Sequence, residues 1–419
     1  MRRWILPVAL LLAACLAYRA TLRAGSSAPA PRRELPWRVA PRYDDPRVAT
    51  TEQLAAVMDR MKPRAKPFNT NVALHALRLW GPHAEFDSSD YLSGPQMLGA
   101  FLDDREFRKL AGPDAAPLYS EVDEQILVRP AVPWDASFDS GAAHTDDVLA
   151  TLAESGVPLD HPLVLRDRTG TVRELLDTAI RRFHDQQFEY EWTAISYARY
   201  LYPLASWQNR FGQTIDVDAL IDETIEAPWR DGVCAGTHRL EALAVLARVD
   251  EQGHALAPRE RRKVLEHLGS VSHVLAQSQH PAGYWTGRWW DPQDAQNSRT
   301  PTNFEKILAT GHHLEWLAFA PEEVQPPREV IVRAAQWLVQ AMLEIDEKTL
   351  QEMYGPFSHA ARALCLWRSR DPFEAWRAGQ PSAVTTEARR HGEELKAAPF
   401  GSAAPQASGS IQAETSRAE

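Results

Sequence analysis

The heptapeptide Gln279-His-Pro-Ala-Gly283-Tyr-Trp285 recurs in weakened form at two other places in the chain. Gln208-Asn-Arg-Phe-Gly212-Gln-Thr214 lies 71 residues earlier, and Gln351-Glu-Met-Tyr-Gly355-Pro-Phe357 lies 72 residues later. The shared pattern is Gln-x3-Gly-x-Trp, with Thr or Phe in place of the last Trp in the two copies. Near-equal spacing of a motif indicates that structural units repeat along the chain.

Apolar residues at helical spacing occupy most of residues 51–378. They predict helices in six consecutive pairs: Thr51 to Met61 with Asn69 to Trp80, Gly94 to Leu110 with His144 to Glu154, Thr171 to Gln187 with Tyr190 to Leu201, Asp216 to Ile225 with Gly236 to Val249, Pro258 to Gln277 with Asn303 to Ala320, and Pro327 to Glu347 with Phe357 to Trp367.

The first helix of a pair tends to be more charged than the second, as a comparison of residues 259–268 with residues 240–247 illustrates. A charged helix with one apolar stripe covers a surface, whereas a helix that is apolar all round is buried. We therefore predict an all-α fold, an (α/α)6 toroid of six outer and six inner helices. An open solenoid of stacked helix pairs is the alternative.

The N-terminal segment, residues 1–24, predicts a signal sequence or a membrane anchor. It contains four arginines and no acids around the apolar run Trp4 to Tyr18. Leu12-Ala-Ala-Cys15 resembles the lipobox of bacterial lipoproteins, so a lipoprotein, an uncleaved anchor and a cleaved signal are all open. We expect a cell-envelope protein whose membrane contact is this segment and whose domain lies outside the cytoplasm.

The remaining composition separates a linker and a tail from the folded region. Residues 25–50 are polar and rich in Pro, and residues 379–419 are rich in Ala, Ser, Gln, Gly and Glu. Neither segment has apolar periodicity, so we expect a linker, a toroid domain over 51–378 and a disordered tail. The formal net charge of −10 disfavours nucleic acid as a partner. Cys234 and Cys365 are either buried thiols or one disulfide.

The heptapeptide Gln279-x3-Gly283-x-Trp285 resembles the QW motif of the squalene and hopene cyclases. These enzymes belong to the terpenoid cyclase and protein prenyltransferase superfamily of α/α toroids. The resemblance implies that Gln caps a helix end at the turn between an outer and an inner helix, with Trp packed over it. Uncharacterised bacterial toroid proteins with Gly-Thr-His and Gly-His-x-Leu-Glu-Trp segments are also similar.

The chemistry of that superfamily does not follow from the resemblance. Hopene-type cyclases protonate their substrate with Asp-x-Asp-Asp, a string that this sequence lacks, and Asp146-Asp147 is its nearest remnant. Protein prenyltransferases hold zinc through an Asp, a Cys and a distant His. Asp231, Cys234 and His238 have these residue types but not that spacing.

Histidines and acids cluster where the predicted inner helices begin. In a toroid these N-termini face one mouth of the ring, so the side chains there would line a shared pocket. Histidine occurs at five of the six starts, and the full set is Asn71 with His75, His144 with Asp146 and Asp147, Glu189 with Glu191, Cys234 with His238, His312 and His313 with Glu315, and His359. Helix capping is the simpler explanation for any one of them.

Acid–base catalysis is the first chemical hypothesis for this pocket. His238 or His313 would act as general acid or base, with Glu191, Glu315 or Asp146 as its partner. We expect a small-molecule ligand, either a carbohydrate or an isoprenoid-like molecule. The residues expected to bind it are His144, Asp146, Trp192, Cys234, Trp285, Trp289, Trp290, His312, Trp316 and His359.

Two other functions remain as alternatives. Cys234 and His238, which lie four residues apart on one helix face, could hold zinc together with His312 or His313 and an acid. The chain has no Cys-x2-Cys or His-Glu-x2-His motif, so the prediction is a site without metal or cofactor. A toroid that binds a ligand or acts as a scaffold without turnover is the other alternative. The sequence does not specify a substrate or an oligomeric state.

Overall fold

The computed structural model describes residues 32–131, 140–184, 186–187, 189–201, 206–253, 256–297 and 301–380. The chain divides into two compact units, Met1–Gly379 and Gln380–Glu419, and the first contains nearly all of these residues. The predicted anchor at 1–24 and all but two residues of the predicted tail lie outside the described residues. Within the described residues, no helix combines the length and apolarity that a membrane crossing requires.

Helices dominate the described residues, which confirms the predicted all-α class. They are α1 Thr51–Arg60, α2 Thr70–Trp80, α3 Gly94–Leu102, α4 Asp104–Ala111, α5 Asp147–Glu154, α6 Val172–Arg182, α7 Glu191–Tyr200, α8 Val217–Glu226, α9 Thr237–Gly253, α10 Pro258–Ser278, α11 Pro292–Asn297, α12 Asn303–Phe319, α13 Arg328–Glu344, α14 Glu347–Glu352, α15 Tyr354–Trp367 and α16 Pro372–Ala378. Short 3-10 turns occur at Trp229–Asp231, Val233–Gly236 and Glu322–Val324.

The helices follow the predicted pairs, with two kinds of difference. The predicted helix Gly94 to Leu110 is interrupted, because Asp103 adopts an extended backbone with φ −141° and ψ 118°. The Asp103 carboxylate accepts a hydrogen bond from the backbone N–H of Arg105, and it thereby caps α4. The short helices α11, α14 and α16 were not expected, since they lack a long apolar periodicity.

Six helices, the second members of the predicted pairs, contact one another in sequence order. Helix α2 contacts α5, α5 contacts α7, α7 contacts α9, α9 contacts α12, α12 contacts α15, and α15 contacts α2. We call these six the core helices. Every residue of α7 is buried, and so is every residue from Ala309 to Phe319 in α12. The first members of the pairs, such as α10, bury a single stripe, as their charge predicts.

Three two-stranded hairpins connect helices within the described ranges, and the sequence pattern did not predict them. The antiparallel pairs are β1 Tyr119–Val122 with β2 Gln125–Val128, β3 Pro162–Val164 with β4 Thr169–Thr171, and β5 Ser206–Gln208 with β6 Thr214–Asp216. The first heptapeptide, Gln208 to Thr214, therefore lies in the β5–β6 hairpin, and the third runs from α14 into α15. The three copies thus occupy different local structures.

Side chains of the central heptapeptide bond both the end of α10, which precedes it, and the start of α13, which lies further along the chain. The indole N–H of Trp285 donates to the carbonyl of Leu275 at 2.9 Å, and so pairs a carbonyl of the last turn of α10. The side-chain amide of Gln279 donates to the carbonyls of Gly283 and Val330, both at 2.8 Å. The indole is therefore a second donor to a carbonyl that also accepts from the backbone N–H of Gln279 at 3.1 Å, whereas the Gln side chain links its own loop to α13.

Residues 32–50 pack against the ends of core helices, although their composition predicts a linker without fixed structure. The backbone N–H of Trp37 donates to the carbonyl of Arg199 at 2.9 Å, and that of Asp45 donates to Trp367 at 3.0 Å. The hydroxyl of Tyr43 donates to the carbonyl of Ala320 at 2.8 Å. The segment is extended and supplies the donors that the C-terminal carbonyls of α7, α12 and α15 lack. Its order depends on these distant carbonyls, which local composition does not reveal.

We predict that Gly283→Ala destabilises the protein by roughly 2–4 kcal/mol. Gly283 has φ 110°, and an added Cβ would lie 2.5 Å from the carbonyl oxygen of Arg333 in α13. Urea unfolding of the full-length protein measures the change. The matched control is Gly269→Ala in α10, where an added Cβ meets no atom within 4 Å. That variant should be more stable than the wild type by about 0.5–1 kcal/mol, and equal effects of the two substitutions would contradict the proposed role of Gly283.

Candidate functional site

Four core helices carry a histidine followed three residues later by a charged residue. The pairs are His75 with Arg78, His238 with Glu241, His312 with Glu315, and His359 with Arg362. Residues at i and i+3 lie on the same face of a helix, about one turn apart. The core helices therefore present two buried levels of polar groups, one of histidines and one of charged residues.

The charged level receives one side chain from each core helix: Arg78, Glu154, Arg199, Glu241, Glu315 and Arg362. Arg78 Nε lies 2.8 Å from a Glu154 oxygen, and Arg362 Nη1 lies 2.5 Å from Glu315 and 3.2 Å from Glu241. Burial raises the pKa of Glu154, but Arg78, Arg362 and Arg199 outweigh burial and hold that pKa below its ordinary range. Three arginines thus balance three glutamates in a buried network.

The histidine level is a cluster of aromatic rings. The centroid of the His312 ring lies 4.2 Å from that of His359 and 4.8 Å from that of His238. His75 contacts the far side of His359 at 5.2 Å, and Trp192 of α7 contacts His238 at 4.4 Å. Burial lowers the pKa of all four histidines, and it lowers that of His75 to about 3. These rings are therefore neutral at pH 7.

Hydrogen bonds assign the tautomers of several of these rings. His312 Nδ1 lies 2.8 Å from the carbonyl of Leu308, and His359 Nδ1 lies 2.6 Å from a Glu315 carboxylate oxygen. Each acceptor requires a proton on Nδ1, so Nε2 carries a lone pair in the neutral ring. Nε2 of His312 and of His359 is buried and has no hydrogen-bond partner within the described residues. Both atoms are available to accept a proton or to bind a metal ion.

The predicted acid–base pairs differ from the pairs in the structure. Glu315 pairs with His359 and Arg362, and not with His238 or His313. The carboxylate nearest to His238 is Glu241, whose Oε2 lies 3.6 Å from His238 Nδ1. At that distance the contact is longer than a hydrogen bond.

The other two predicted partner carboxylates also bind elsewhere. Glu191 accepts a hydrogen bond from Arg239 Nε at 3.0 Å. Asp146 accepts one from the hydroxyl of Thr193 at 2.6 Å. Neither residue is paired with a histidine in the part of the chain that the structure describes. The sequence identifies these histidines and carboxylates as candidates for one site, but it does not specify which of them meet.

His313 lies outside the histidine level, although it is adjacent to His312. Its Nδ1 accepts a hydrogen bond from the indole N–H of Trp316 at 3.1 Å. Its ring contacts Trp285 and Trp289 at centroid distances of 5.5 and 4.8 Å. Successive helical residues point about 100° apart, which sends His312 and His313 to different surroundings. A carboxylate is absent from these contacts, so the predicted catalytic role of His313 has no partner here.

The tryptophans that were predicted to bind the ligand also lie in two different places. Trp285, Trp289 and Trp316 are fully buried around His313, and they pack against protein groups. The indole N–H of Trp289 donates to the carbonyl of Ala235 at 3.1 Å. Trp290 is half-buried and contacts Trp289. Only Trp192 joins the histidine level, where its indole N–H is buried without a partner among the described residues.

A cavity of about 590 Å³ lies at the N-terminal ends of α5 and α7. We call it the α5–α7 cavity. Its polar lining includes His144, Asp146, Arg182, Gln187, Glu189 and Arg210. His144 Nδ1 lies 3.1 Å from a Glu189 oxygen, and the His144 ring centroid lies 6.2 Å from that of Trp192. The cavity therefore approaches the histidine level through Trp192.

Several groups at this cavity have shifted pKa values. Burial lowers the pKa of His144, but the hydrogen bond to Glu189 and the charge of Asp147 outweigh burial and raise it. Burial raises the pKa of Asp146, which lines the cavity, and it raises the pKa of the next residue, Asp147, which does not line it, to about 7. Groups that titrate near neutrality can exchange protons with a ligand at physiological pH.

Left-handed backbone at non-glycine residues coincides with the starts of three core helices. The φ values are 58° for Asp146, 56° for Glu189, 49° for Cys234 and 60° for Ala235. These residues precede α5, α7 and α9. Such conformations cost on the order of 1–3 kcal/mol each and tend to cluster at functional sites. The surrounding contacts therefore hold these side chains in positions that relaxed loops would not adopt.

Within the part of the chain that the structure describes, two groups of side chains have ligand atoms close enough to hold a metal ion. In one, the ligand atoms of Cys234, His238 and His312 all lie within 4.8 Å of one another. In the other, those of Glu241, Glu315 and His359 do so. Cys234 is a free thiol, and so is Cys365, whose sulfur contacts Met58. The open choice between a disulfide and two thiols is thereby decided in favour of thiols.

Of the charged level, only Glu315 is among the site residues predicted from the sequence. The missed residues are Arg78, Glu154, Arg199, Glu241 and Arg362. A charged residue three positions after a histidine in an otherwise apolar helix marks three of them: Arg78, Glu241 and Arg362. Such a residue must be paired when the helix is buried. Glu154 and Arg199 have no histidine before them and carry no comparable signal.

We predict that Arg362→Met destabilises the protein by roughly 3–5 kcal/mol, because it leaves three buried glutamates facing two arginines. The double variant Arg362→Met/Glu315→Gln should be more stable than the single variant, since the surplus carboxylate becomes neutral. Urea unfolding measures both. Arg64→Met is the surface control, because Arg64 and Glu347 form an exposed pair and its loss should cost at most about 1 kcal/mol. No recovery in the double variant would contradict the charge-balance explanation.

We predict that His75 makes the free energy of unfolding decrease at acidic pH. Its pKa is about 3 in the folded protein and ordinary in the unfolded chain, so the unfolded chain takes up the proton first. The stability from neutral His75 is present above about pH 6.5 and is lost progressively as pH falls towards 3. Between pH 6 and 5, His75→Gln should reduce the loss of unfolding free energy by up to about 1.4 kcal/mol per pH unit. His273→Gln, at an exposed site, is the control, and equal slopes in the wild type and His75→Gln would contradict the prediction.

Comparisons with known proteins do not assign this site. No protein-family model, no curated protein and no solved structure matches the chain. The contacts among its own residues are therefore the basis on which a function can be proposed.

Proposed function

We propose that the six core helices form the inner wall of an (α/α)6 toroid. The outer helices would be α1, α3, α6, α8, α10 and α13. The contacts that run through the core helices and return from α15 to α2 support a closed ring over an open solenoid. Membership of the terpenoid cyclase and protein prenyltransferase superfamily is also a proposal, and it rests on Gln279-x3-Gly283-x-Trp285.

We infer that ligands enter this ring from the side of the core-helix N-termini. The α5–α7 cavity lies at that side. Residues 32–50 bind the C-terminal ends of α7, α12 and α15, and would obstruct the opposite side. The cell-envelope location is part of the same proposal and rests on the apolar run and the arginines of that segment.

We propose that the protein is an enzyme that performs acid–base chemistry on a small polar ligand in the α5–α7 cavity. The observation that carries this proposal is the His144–Glu189 pair, 3.1 Å apart, beside Asp146 in a cavity of about 590 Å³. A cavity of this size suits a small molecule. Glu189 would orient His144 by accepting a hydrogen bond from its Nδ1–H, which leaves Nε2 to exchange a proton with the ligand.

A hydroxylated or charged ligand fits this cavity better than an isoprenoid-like one. Arg182, Gln187 and Arg210 line the cavity alongside the His144–Glu189 pair, and they offer hydrogen-bond donors. The tryptophans expected to stack on an apolar ligand, Trp285 and Trp289, are buried around His313 instead. The proposed substrate class is therefore a carbohydrate or a similarly polar molecule.

A binding protein without turnover is the competing proposal. It would use the same cavity and the same donors. The left-handed backbone at Asp146 and Glu189 favours the enzyme, because strain that positions acid and base groups is typical of catalytic sites. Turnover of an identified ligand discriminates between the two.

The test uses the full-length protein in detergent. Mass spectrometry identifies small molecules that copurify with it, and thermal shift assays with a panel of sugars and polar metabolites extend the search. We expect turnover of one such ligand, and we expect His144→Asn and Glu189→Gln to lower the rate by roughly 10²–10⁴-fold. Their melting temperatures without ligand should stay close to that of the wild type.

His273→Asn is the matched control, because His273 is exposed, and this variant should keep full activity. Ligand binding without turnover in the wild type would support the binding protein. Full activity of His144→Asn would overturn the assignment of the acid–base pair. Parallel loss of activity and thermal stability in both cavity variants would indicate that the pair is structural.

A further inference from the structure

We propose that Cys234, His238 and His312 form a zinc site between the start of α9 and the middle of α12. The proposal goes beyond the acid–base function, because zinc binding can be measured without a substrate. The ligand atoms of the three residues lie within 4.8 Å of one another in the absence of any ion. Ligand atoms around tetrahedral zinc are roughly 3.5 Å apart, so small side-chain rotations would close the site.

The position of Cys234 is set by a constrained turn before α9. Cys234 and Ala235 both have left-handed backbone, with φ 49° and 60°. The indole N–H of Trp289 donates to the carbonyl of Ala235, and the hydroxyl of Thr237 donates to that of Cys234 at 2.8 Å. A Cβ added at Gly236 would lie 2.9 Å from the Trp229 ring. These contacts hold the thiol beside His238, four residues later.

His312 is arranged as a metal ligand needs to be. Its Nδ1–H donates to the carbonyl of Leu308 at 2.8 Å, and its Nε2 is buried and unpartnered among the described residues. Histidines that bind metal ions usually donate their other N–H to a carbonyl or a carboxylate, which fixes the ring and its tautomer. An unpaired buried nitrogen costs free energy, so the lone pair of Nε2 is better explained by a ligand that it binds.

The donor set selects zinc among the common metal ions. One thiolate and two imidazoles suit a borderline-soft ion such as Zn²⁺, whereas Mg²⁺ and Ca²⁺ prefer oxygen ligands. Three protein ligands leave a fourth position open, which is the pattern of catalytic rather than structural zinc. Bound zinc would polarise a water molecule or a ligand oxygen there. Trp192, in contact with His238, separates this position from His144 in the α5–α7 cavity.

The second group, Glu241, Glu315 and His359, is a weaker candidate. Arg362 lies 2.5 Å from Glu315 and 3.2 Å from Glu241, so both carboxylates are already paired. A divalent cation among them would be repelled by this guanidinium and by Arg78, which lies 3.6 Å from Glu241. We assign this group to the charged level and the first group to zinc.

Metal content and cobalt spectroscopy test the proposal on full-length protein purified without chelators. We expect elemental mass spectrometry to find about one zinc ion per chain. Replacement by Co²⁺ should produce a thiolate charge-transfer band and the intense visible bands of tetrahedral cobalt. Cys234→Ser and His312→Gln should each lower zinc content at least tenfold, and Cys234→Ser should also remove the charge-transfer band.

Two matched controls separate ligand loss from general disruption. Cys365→Ser replaces the other buried thiol, and His313→Gln replaces the neighbouring histidine that faces tryptophans. Both controls should keep zinc. Wild-type protein that lacks zinc and shows no cobalt spectrum would overturn the proposal, as would full zinc content in Cys234→Ser. The wild-type spectrum decides the matter even if a ligand variant fails to fold.

The outcome is independent of the acid–base proposal. Zinc with these ligands, together with full turnover in His144→Asn, would retain the metal site and reject the His144–Glu189 pair. Absence of zinc, together with loss of turnover in His144→Asn, would reject the metal site alone.

Discussion

Arg78, Glu154, Arg199, Glu241, Glu315 and Arg362 meet in one buried ion-pair network, and each comes from a different core helix. A buried charge without a partner is expensive, whereas a balanced set with hydrogen bonds is tolerated. A core helix that slid or rotated would leave at least one of these charges unpaired. We infer that the network selects one register for the six helices, and that its main contribution is this selection.

The histidine level depends on that register. His75, His238, His312 and His359 each precede a member of the network by three residues, so the helices that align the charges also bring the rings together. Glu315 belongs to both levels, because it accepts from His359 and from Arg362. The charged network thereby orients at least one ring of the histidine level, that of His359. The strained starts of α5, α7 and α9 then add His144, Glu189 and Cys234 at the N-terminal ends of these helices.

Much of the fold was predictable because the helices are long and because core helices and surrounding helices differ in how much of their surface is buried. Core helices such as α7 are buried on every side, whereas the surrounding helices such as α10 bury one stripe. The hairpins, at three or four residues per strand, are too short to display a periodic pattern. Residues 32–50 also escaped prediction, since their order comes from donors that pair with the ends of distant helices and not from an apolar pattern. The heptapeptide predicted the turn, but its Trp bonds the last turn of α10 while its Gln reaches α13.

The sequence by itself determined the helix pairs, the repeat spacing and the presence of histidines and acids on the predicted inner helices. These features depend on local periodicity, which one chain displays without any partner. The sequence placed His312, His313 and Glu315 at a helix start, whereas they lie well inside α12. Only the tertiary structure decided that Glu315 meets His359 across 44 residues and that Arg362 meets Glu241 across 121 residues. It also separated His312, beside Cys234 and His238, from His313, which lies among tryptophans. The reason is geometric: rotation about a helix axis and the packing of the next helix select each partner, and neither is encoded in the spacing of residues along one segment.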